Sequence, residues 1–528
     1  MPIGTSKDKD YKPLSVRPVT GADPSRDQPS LRPSGAEVTG AEPTNLVNLS
    51  YSFGEKPPVA QAKTESGSAV EEPRSIAADA TVIPSGQASS PKAAKQIKRE
   101  ERDKRLLSSD RWLVRNGHLF TFVALYLFSI MVLYRPYETV PGLGFLSGTA
   151  IYFGLITLAL YFPSQLAVEG NLTIFPTEVK AILAMLAISM ITMPIAKDPA
   201  LAWETFNEPF SKAVIMFIVM INVVRTRKRL MAMMWLSLGI GIYLAIAALD
   251  LYSKGKFAVE EYRIAVDIGG LFGNPNEMAL HFVMMTPLAI TLGIAARSKI
   301  WRILYFAVAG LFIAANMVTF SRGGFIGLIA CSAVLAWKLG RKYRLNVTLV
   351  SLVVGVVALA AAPGNYGLRM LSIFIPGLDA VGSSDQRKEL LIRSIWTSIR
   401  NPWGIGLGNF PIVGVRNLQS HNAFTQVSSE LGILGLIAYL VFMISPFRKL
   451  GAIERKLFDS EDANWYYYLA IGLQASIIGY MVSSFFASVA YQWFIYYLIA
   501  YAVAFRRTYS LEGEKTEQVA PQMAVQPA

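Results

Sequence analysis

Charged residues are scarce in this sequence. Only 16% of its 528 residues are Asp, Glu, Lys or Arg, and 52% are hydrophobic, whereas an average soluble protein is about 25% charged. This deficit argues against a series of soluble domains and predicts a membrane protein.

Cysteine and histidine are almost absent. The single cysteine, Cys331, excludes a disulfide framework and a cysteine-based zinc site, and there are only three histidines. The segments that the charge pattern below places on the outer side of the membrane contain no Asp-x-Asp or His-Glu-x-x-His arrangement, which would bind a metal. We therefore expect no metal and no cofactor.

The first hundred residues differ from the rest of the chain. Residues 1–91 are rich in Pro, Ser, Ala, Gly and Thr without an apolar period, which predicts a disordered cytoplasmic tail. This start lacks the apolar region of a secretory signal. Residues 92–115 carry nine basic and four acidic side chains, as expected of a juxtamembrane segment on the cytoplasmic side.

From about Leu119 the sequence becomes a series of apolar stretches, each close to the roughly 20 residues that span a bilayer. They lie near 117–134, 143–162, 178–196, 210–224, 230–251, 278–296, 300–318, 323–339, 345–362, 424–445, 464–484 and 490–505. The predicted fold is an all-α polytopic membrane protein of about 12 transmembrane helices. Its transmembrane domain covers 116–507, and 508–528 is predicted to be a disordered cytoplasmic tail.

Lys and Arg define the predicted orientation. They are concentrated in the connections after the fourth, sixth, eighth, tenth and last helices, which places both termini in the cytoplasm. The second connection, near Pro163 to Thr177, has no Lys or Arg and is the exception. Much of the formal net charge of +13 is thus explained by topology, and it does not indicate nucleic-acid binding.

Parity places the longest loop, 363–423, on the outer side of the membrane. Within it, apolar residues follow Arg387 at spacings of three and four up to Asn401-Pro402, which predicts an amphipathic helix along the membrane surface. The next run, Gly404 to Phe410, is glycine-rich, but no strand-to-helix unit surrounds it, so a dinucleotide site is not indicated.

Arg322 is on the outer side, where topology does not require a positive charge. It lies in Ser321-Arg322-Gly323-Gly324, between the seventh and eighth helices. One interpretation is an interfacial anchor that snorkels to lipid headgroups. The paired glycines favour another, because they permit close backbone approach, and arginine matches the oxygens of a phosphate.

His421 is also on the outer side. Asn422, Gln426 and Glu430 follow it at helical spacing and form a polar stripe. Glu430 either orients a site residue or serves only as a hydrogen-bond partner inside the bundle. Asn274, in an Asn-Pro-Asn turn, is a candidate for lining a substrate site, whereas we expect His281 to be a packed polar residue.

These motifs resemble the O-antigen ligase and polymerase superfamily of bacterial membrane proteins. The resemblance is carried over about 270–445 by Ser321-Arg322-Gly323-Gly324, Arg387, the run from Asn401 to Phe410, and His421-Asn422 with Glu430-Leu431-Gly432. By position, the family's functional arginines match Arg322 and Arg387, and its functional histidine matches His421. Ser321, Gly323, Asn274, Asn422 and Glu430 are further candidates for substrate binding.

The resemblance implies a metal-independent glycosyltransferase of the inner membrane. It would transfer a glycan from a polyprenyl (undecaprenyl) diphosphate to an acceptor hydroxyl on the periplasmic face, in O-antigen, lipopolysaccharide or exopolysaccharide synthesis. We hypothesise that His421 acts as the general base while Arg322 and Arg387 hold the diphosphate. Expected partners are the glycan donor, a sugar or lipid-core acceptor and membrane lipids. A transporter or lipid-linked glycan flippase, and a scaffold protein, are the alternatives, and ligase and polymerase remain equally open.

Overall fold

The computed structural model describes residues 118–523 except 259–261, 269–270, 361, 365, 374, 376–382 and 461–463. The tail predicted over 1–91 and the basic segment predicted over 92–115 lie outside the described residues. Within the described part of the chain every regular element is helical, and Ile268 and Leu271 form an isolated bridge.

The main helices, in chain order, are α1 (Leu119–Leu133), α2 (Thr149–Glu169), α3 (Thr177–Thr192), α4 (Ser211–Val223), α5 (Arg227–Ser253), α6 (Pro275–Ala295), α7 (Lys299–Val318), α8 (Arg322–Ala360), α9 (Tyr366–Leu371), α10 (Ser383–Arg400), α11 (Ala423–Glu430), α12 (Gly432–Asp459), α13 (Trp465–Ser483) and α14 (Trp493–Met523). Short helical turns link them at Pro136–Thr139, Gly144–Leu146, Met193–Ile195, Pro199–Thr205, Phe206–Phe210, Phe410–Val413, Val415–Asn417 and Ser484–Phe486.

Nine helical segments of the described chain are long and apolar enough to cross a membrane. They are Thr149–Glu169, Thr177–Ile195, Pro199–Val223, Arg227–Ser253, Pro275–Ala295, Lys299–Val318, Arg322–Arg341, Gly432–Asp459 and Trp465–Phe486. Leu119–Leu133 and Arg344–Val357 are apolar but shorter. The count of twelve spans therefore stays a prediction.

The centre of the bundle is formed by α6 and α13, which pack against each other, with α7 and α8 around them. Small residues bring these helices close together. Gly472 of α13 lies against Thr291 of α6, and Gly479 lies against Val283. Such contacts are typical of membrane helices, where close backbone packing replaces the hydrophobic effect as the cause of association.

The long helix α8 changes direction sharply near Gly340. In a straight helix, residues seven apart are separated by about 10.5 Å along the axis. A Cβ atom built on Gly340 would lie 3.9 Å from Cβ of Val347, so the chain doubles back there. The predicted spans 323–339 and 345–362 correspond to the two limbs of this bent helix.

The span predicted over 424–445 is divided in the structure. Its first part is α11, and α12 begins only at Gly432, whose φ of 71° is left-handed. A Cβ at Gly432 would clash with the backbone at Pro402 and Trp403, so glycine is required at this break. Glu430 consequently lies outside the membrane-length helix.

Two carboxylates, one buried and one partly buried, explain the connection that lacks Lys and Arg. Glu178 accepts hydrogen bonds from Arg506 at 2.6 and 3.1 Å and pairs with Lys449 at 3.2 Å. Glu169, at the other end of the same connection, pairs with Arg225 at 3.0 Å. The connection therefore binds the positive charge of neighbouring loops instead of carrying its own.

The last helix is longer than the sequence predicted. α14 extends to Met523, through most of the segment 508–528 for which a disordered tail was expected. Its described side chains at the membrane edge, Arg506 and Arg507, are held by the carboxylates of Glu178 and Glu169.

Candidate functional site

The turn between α7 and α8 is held by Ser321. Its hydroxyl accepts a hydrogen bond from the Gly324 amide at 3.1 Å, which caps the start of α8, and donates to Asn276 Oδ1 at 2.8 Å. Gly323 packs directly against Phe486, since an added Cβ would lie 2.7 Å from the Phe486 Cβ. Ser321 and Gly323 thus shape the backbone from which Arg322 projects.

Arg322 is almost completely buried, with 8% of its surface exposed. Its Nη2 donates to Ser372 Oγ at 2.6 Å, and Ser372 Oγ donates to the Arg369 carbonyl at 2.6 Å. A side chain that snorkels to lipid headgroups would be exposed, so the interfacial-anchor interpretation is wrong. Arg322 is an internal residue at one end of the bundle.

Two further arginines surround the same turn. Arg263 donates to the Thr319 carbonyl at 3.0 Å and to Asn276 Oδ1 at 2.9 Å. Arg369 donates to the Phe320 carbonyl at 3.0 Å, and its guanidinium lies 4.9 Å from the ring centre of Tyr262, with whose hydroxyl it also bonds. Sequence reasoning missed both arginines, because each lies in a longer connection where an arginine does not contrast with its neighbours.

Phe320 has a left-handed backbone conformation, with φ of 49°, which is unfavourable for a bulky residue. The bond from Arg369 to its carbonyl and ring contacts with Tyr262 and Tyr366, at 5.3 and 5.7 Å between centroids, hold it there. Backbone strain of this kind persists only where the surroundings impose it, and it is common at binding sites.

Asn274 and Asn276 have different places in the Asn-Pro-Asn turn. Asn274 caps α6, because its side-chain oxygen accepts from the Asn276 amide at 2.9 Å. Asn276 is the residue that reaches the arginine cluster, through Arg263 and Ser321. The residue with the stronger connection to Arg322 is therefore Asn276, not the predicted Asn274.

His421 precedes α11 and also has a left-handed backbone, with φ of 51°. Asn422 caps the helix, accepting from the amides of Phe424 at 2.9 Å and Thr425 at 3.1 Å. The Asn422 side-chain amide nitrogen is buried, and the described residues provide no acceptor for it. His421 therefore directly precedes a capped helix start, beside a buried amide donor.

Arg387 affects the imidazole of His421 electrostatically. Burial, followed by the positive charge of Arg387, lowers the pKa of His421 to about 4. Arg387 lies on α10, in the first half of the long loop, and its charge acts on His421, which is near the end of that loop. His421 is neutral at pH 7 and has a free electron pair that can accept a proton.

Glu430 is fully buried at the end of α11. Its Oε1 accepts from the Phe410 amide at 3.3 Å, and burial raises its pKa to about 7. The carbonyls of Ser429 and Glu430 accept from the amides of Ile405 at 2.9 Å and Gly406 at 3.0 Å. These contacts favour the interpretation of Glu430 as a residue that fastens the glycine-rich run to α11.

The glycine-rich run is packed against protein. Gly404 lies against the Glu430 carbonyl, Gly406 against Ala196 and Gly408 against Thr205, each with positive φ. Asn409, just after the run, accepts from the Asp198 amide at 2.6 Å. The run has no space for a phosphate at these glycines, in agreement with the expectation that it is not a nucleotide loop.

The turn Ser484–Phe486 joins the two halves of the site. On one side Phe486 packs on Gly323 and Ser483 Oγ donates to the Gly323 carbonyl at 3.1 Å. On the other side Phe485 contacts Phe424, with ring centroids 6.4 Å apart. The turn therefore contacts Gly323, next to Arg322, and Phe424, three residues after His421, although Arg322 and His421 are 99 residues apart in the sequence.

A groove of about 520 Å³ lies beside α10. Its walls include Lys197, Arg393, Trp396 and Arg400, with one acidic residue, Glu389. The indole of Trp396 and the guanidinium of Arg400 are 5.9 Å apart. Such a surface, an aromatic ring among cations and polar groups, is suited to a sugar that carries negative charge.

Metal ligands are not grouped in the part of the chain that the structure describes: it contains no cluster of three or more His, Cys, Asp or Glu side chains. The polar residues around Arg322 are dominated by arginine. Their chemistry suits an anion.

The fold and these contacts define a multi-pass helical membrane protein with a buried, arginine-rich polar site at one end of its bundle. Comparison with known proteins shows what this chain is similar to. Residues 306–440 match the family described as O-antigen ligase. An O-antigen polymerase of Salmonella muenchen is 25% identical over 199 residues, which cover 36% of this chain and 50% of the Salmonella protein.

The predicted resemblance to the O-antigen ligase and polymerase family is confirmed over residues 306–440. This segment contains Arg322, Ser372, Arg387, His421 and Glu430. The chain spans about half the length of the curated relative that it matches. Arg263 and the Asn-Pro-Asn turn lie before the matched segment.

Proposed function

We propose that the protein is a glycosyltransferase of the bacterial inner membrane, acting as an O-antigen ligase or polymerase. It transfers a glycan from a polyprenyl diphosphate, such as undecaprenyl diphosphate, to an acceptor hydroxyl. The observation that carries this proposal is the buried Arg322, fixed by Ser372 in a polar site that also contains Arg263 and Arg369. A diphosphate supplies the negative charge that such a site requires.

The proposed reaction is one inverting displacement. The acceptor oxygen attacks C1 of the donor sugar, the bond from C1 to the diphosphate oxygen breaks, and the diphosphate leaves on its polyprenyl chain. Arg322 and Arg387 bind the diphosphate and stabilise the charge that develops on it. His421 accepts the proton of the attacking hydroxyl. The arginines do the work of charge stabilisation, so the mechanism needs no metal.

The low pKa of His421 fits this sequence of events. Before the donor binds, Arg387 disfavours the imidazolium, and His421 is neutral. A bound diphosphate offsets the charge of Arg387, so the proton affinity of His421 rises when the donor is in place. His421 thus becomes a better base only when there is a glycan to transfer.

The topology supports a periplasmic site. Lys338 and Arg341 bind the buried carboxylate of Glu454 at 2.8 Å each, at the end of the bundle opposite Arg322. Under the positive-inside rule, this basic end is cytoplasmic, and both termini are cytoplasmic with it. The donor and the acceptor then meet on the outer side, with the polyprenyl chain in the outer leaflet.

The groove beside α10 is the best candidate for the sugar part of a substrate. Trp396 offers an aromatic face, and Arg393, Arg400 and Lys197 offer donors to hydroxyl or carboxylate oxygens. Because α10 also carries Arg387, a glycan in this groove lies on the same helix that contributes to the diphosphate site.

The experiment is a transfer assay with purified protein and a polyprenyl diphosphate glycan. Arg322→Ala and His421→Ala should each abolish transfer while the protein inserts normally, and Arg387→Lys should reduce it, because lysine lacks the planar fork of arginine. Arg135→Ala, at a partly buried arginine paired with Glu138, is the control. Full activity in either alanine variant removes that residue from the mechanism.

The product of the same assay separates the two activities within the family. Longer chains on the carrier identify a polymerase, and transfer to a separate acceptor identifies a ligase. Movement of the lipid-linked glycan between leaflets without a new glycosidic bond would instead identify the flippase alternative, which neither comparison supports.

A further inference from the structure

A cavity of about 940 Å³ lies at the other end of the bundle, away from the arginine-rich site. Its walls come from the start of α5, the connection between α6 and α7, and the start of α13. The residues that line it include Arg227, Trp235, Arg297, Trp301, Arg302 and Trp465. No function proposed above uses this cavity.

The cavity is positively charged. Three arginines, Arg227, Arg297 and Arg302, are among its lining residues, which include no Asp or Glu. Arg302 donates to the Ala296 carbonyl at 3.1 Å, and the Arg227 guanidinium lies 4.2 Å from the ring centre of Trp465. Neither contact neutralises a charge.

Several other basic residues at this end are paired with carboxylates. Glu169 pairs with Arg225 and Arg507, Glu178 with Arg506 and Lys449, and Glu454 with Lys338 and Arg341. Among the described residues, none of the three arginines of the cavity makes an ion pair with a carboxylate. All three are exposed, so an anion from outside the chain can reach them.

Aromatic side chains place the cavity at the membrane surface. Trp235 and Trp301 stack with centroids 6.1 Å apart and an angle of 7° between planes, and Trp235 Nε1 donates to the Tyr305 hydroxyl at 2.7 Å. Both indoles are 49% exposed, and Ile300 beside them is 79% exposed. Half-exposed tryptophans next to exposed aliphatic residues mark the level of the lipid headgroups.

We propose that this cavity binds the headgroup of an anionic phospholipid from the leaflet on the basic side of the protein. The arginines hold the phosphate and the other anionic oxygens, the tryptophans and Tyr305 lie at the glycerol level, and apolar wall residues such as Met231 and Leu292 contact the start of the acyl chains. The site does not depend on the glycan transfer proposed for the other end.

The test is lipid binding to the purified full chain, measured by native mass spectrometry as phosphatidylglycerol or phosphatidylcholine is added. The wild type should retain phosphatidylglycerol in preference to phosphatidylcholine. The variant with Arg227→Gln and Arg302→Gln should bind phosphatidylglycerol at least about tenfold more weakly, because each arginine contributes separately to attraction of anionic lipid. The matched control is Arg448→Gln with Arg455→Gln, two exposed residues of α12 outside the cavity.

A second measurement uses tryptophan fluorescence and one conservative substitution. Phosphatidylglycerol brominated near the headgroup should quench tryptophan fluorescence of the wild type, and Trp235→Phe should reduce that quenching. Equal binding of both lipids, equal loss in the control variant, or quenching unchanged by Trp235→Phe would each overturn the proposal. Inorganic phosphate serves as a further probe: displacement of the lipid at equal concentration would show a site for free phosphate and would also overturn it.

Discussion

Ser372 joins two arginines of the candidate site and was not predicted from the sequence. It is buried, and its Oγ accepts from Arg322 Nη2 and donates to the Arg369 carbonyl, both at 2.6 Å. Ser372→Ala removes both bonds with a change of one oxygen atom. Arg322 then keeps its charge and its other contacts but loses the partner that fixes its direction.

The expected loss follows from the bond to the guanidinium. A hydrogen bond to a charged group contributes about 1.5–3 kcal/mol, and each 1.36 kcal/mol changes a rate about tenfold, so kcat/KM should fall roughly 10- to 150-fold. If Arg322 stabilises charge that develops on the leaving diphosphate, the loss should appear mainly in kcat. Ser372→Thr keeps a hydroxyl and should recover part of the activity.

The assay is transfer from a polyprenyl diphosphate glycan by purified protein, with kcat and KM measured separately. Ser398→Ala is a suitable control, because Ser398 shares a hydrogen bond of 2.8 Å with Ser428 at the same end of the protein. A double-mutant cycle with Arg322→Lys tests whether Ser372 acts through Arg322. In the Arg322→Lys background, Ser372→Ala should lower kcat/KM much less than it does in the wild type.

Two results would refute this reasoning. An unchanged kcat/KM in Ser372→Ala would show that the bond does not position Arg322 for the reaction. A loss of the same size with and without Arg322→Lys would show that Ser372 acts independently of Arg322.

Three further predictions concern stability and pH. Gly406→Ala should lower the midpoint of thermal unfolding in detergent more than Gly148→Ala, because both glycines have positive φ but only at Gly406 would the new Cβ meet another residue; equal shifts would contradict the packing of the glycine-rich run. Arg387→Gln should raise the pKa of His421 from about 4 toward its ordinary 6.5, without reaching it because burial remains. Diethylpyrocarbonate modifies only the neutral imidazole. As the solution is acidified, modification of His421 should therefore begin to slow at a higher pH in the variant than in the wild type. Glu178→Gln should destabilise the fold by about 3–5 kcal/mol, because it breaks buried ion pairs, and a thermal midpoint within a degree of the wild type would show that these pairs do not hold the bundle.

The membrane class and the main helices could be predicted because hydropathy is a local property. A run of about 20 apolar residues buries its backbone polar groups in its own helical hydrogen bonds, wherever the rest of the chain lies. The same locality made Arg322 visible, since a single arginine between two apolar helices contrasts with its neighbours.

Arg263 and Arg369 lacked such contrast. Both lie in longer connections that contain other polar residues, where an arginine is ordinary. Their importance comes from bonds to the carbonyls of Thr319 and Phe320, which are 56 and 49 residues away in the sequence. The break between α11 and α12 could not be predicted either. Gly432 is required there because a side chain would clash with Pro402 and Trp403, which are distant in the sequence.

By itself, the sequence determined that this chain is a helical membrane protein with basic connections on one side, and that Arg322, Arg387 and His421 are its candidate catalytic residues. Tertiary structure decided which groups surround them: Ser372 at Arg322, Arg387 beside His421, and the turn Ser484–Phe486 between the two halves. The physical reason is the distance along the sequence between the groups that interact. Transfer into lipid depends on consecutive residues, whereas a buried hydrogen bond or a change in pKa depends on atoms that only the packing of distant helices brings together.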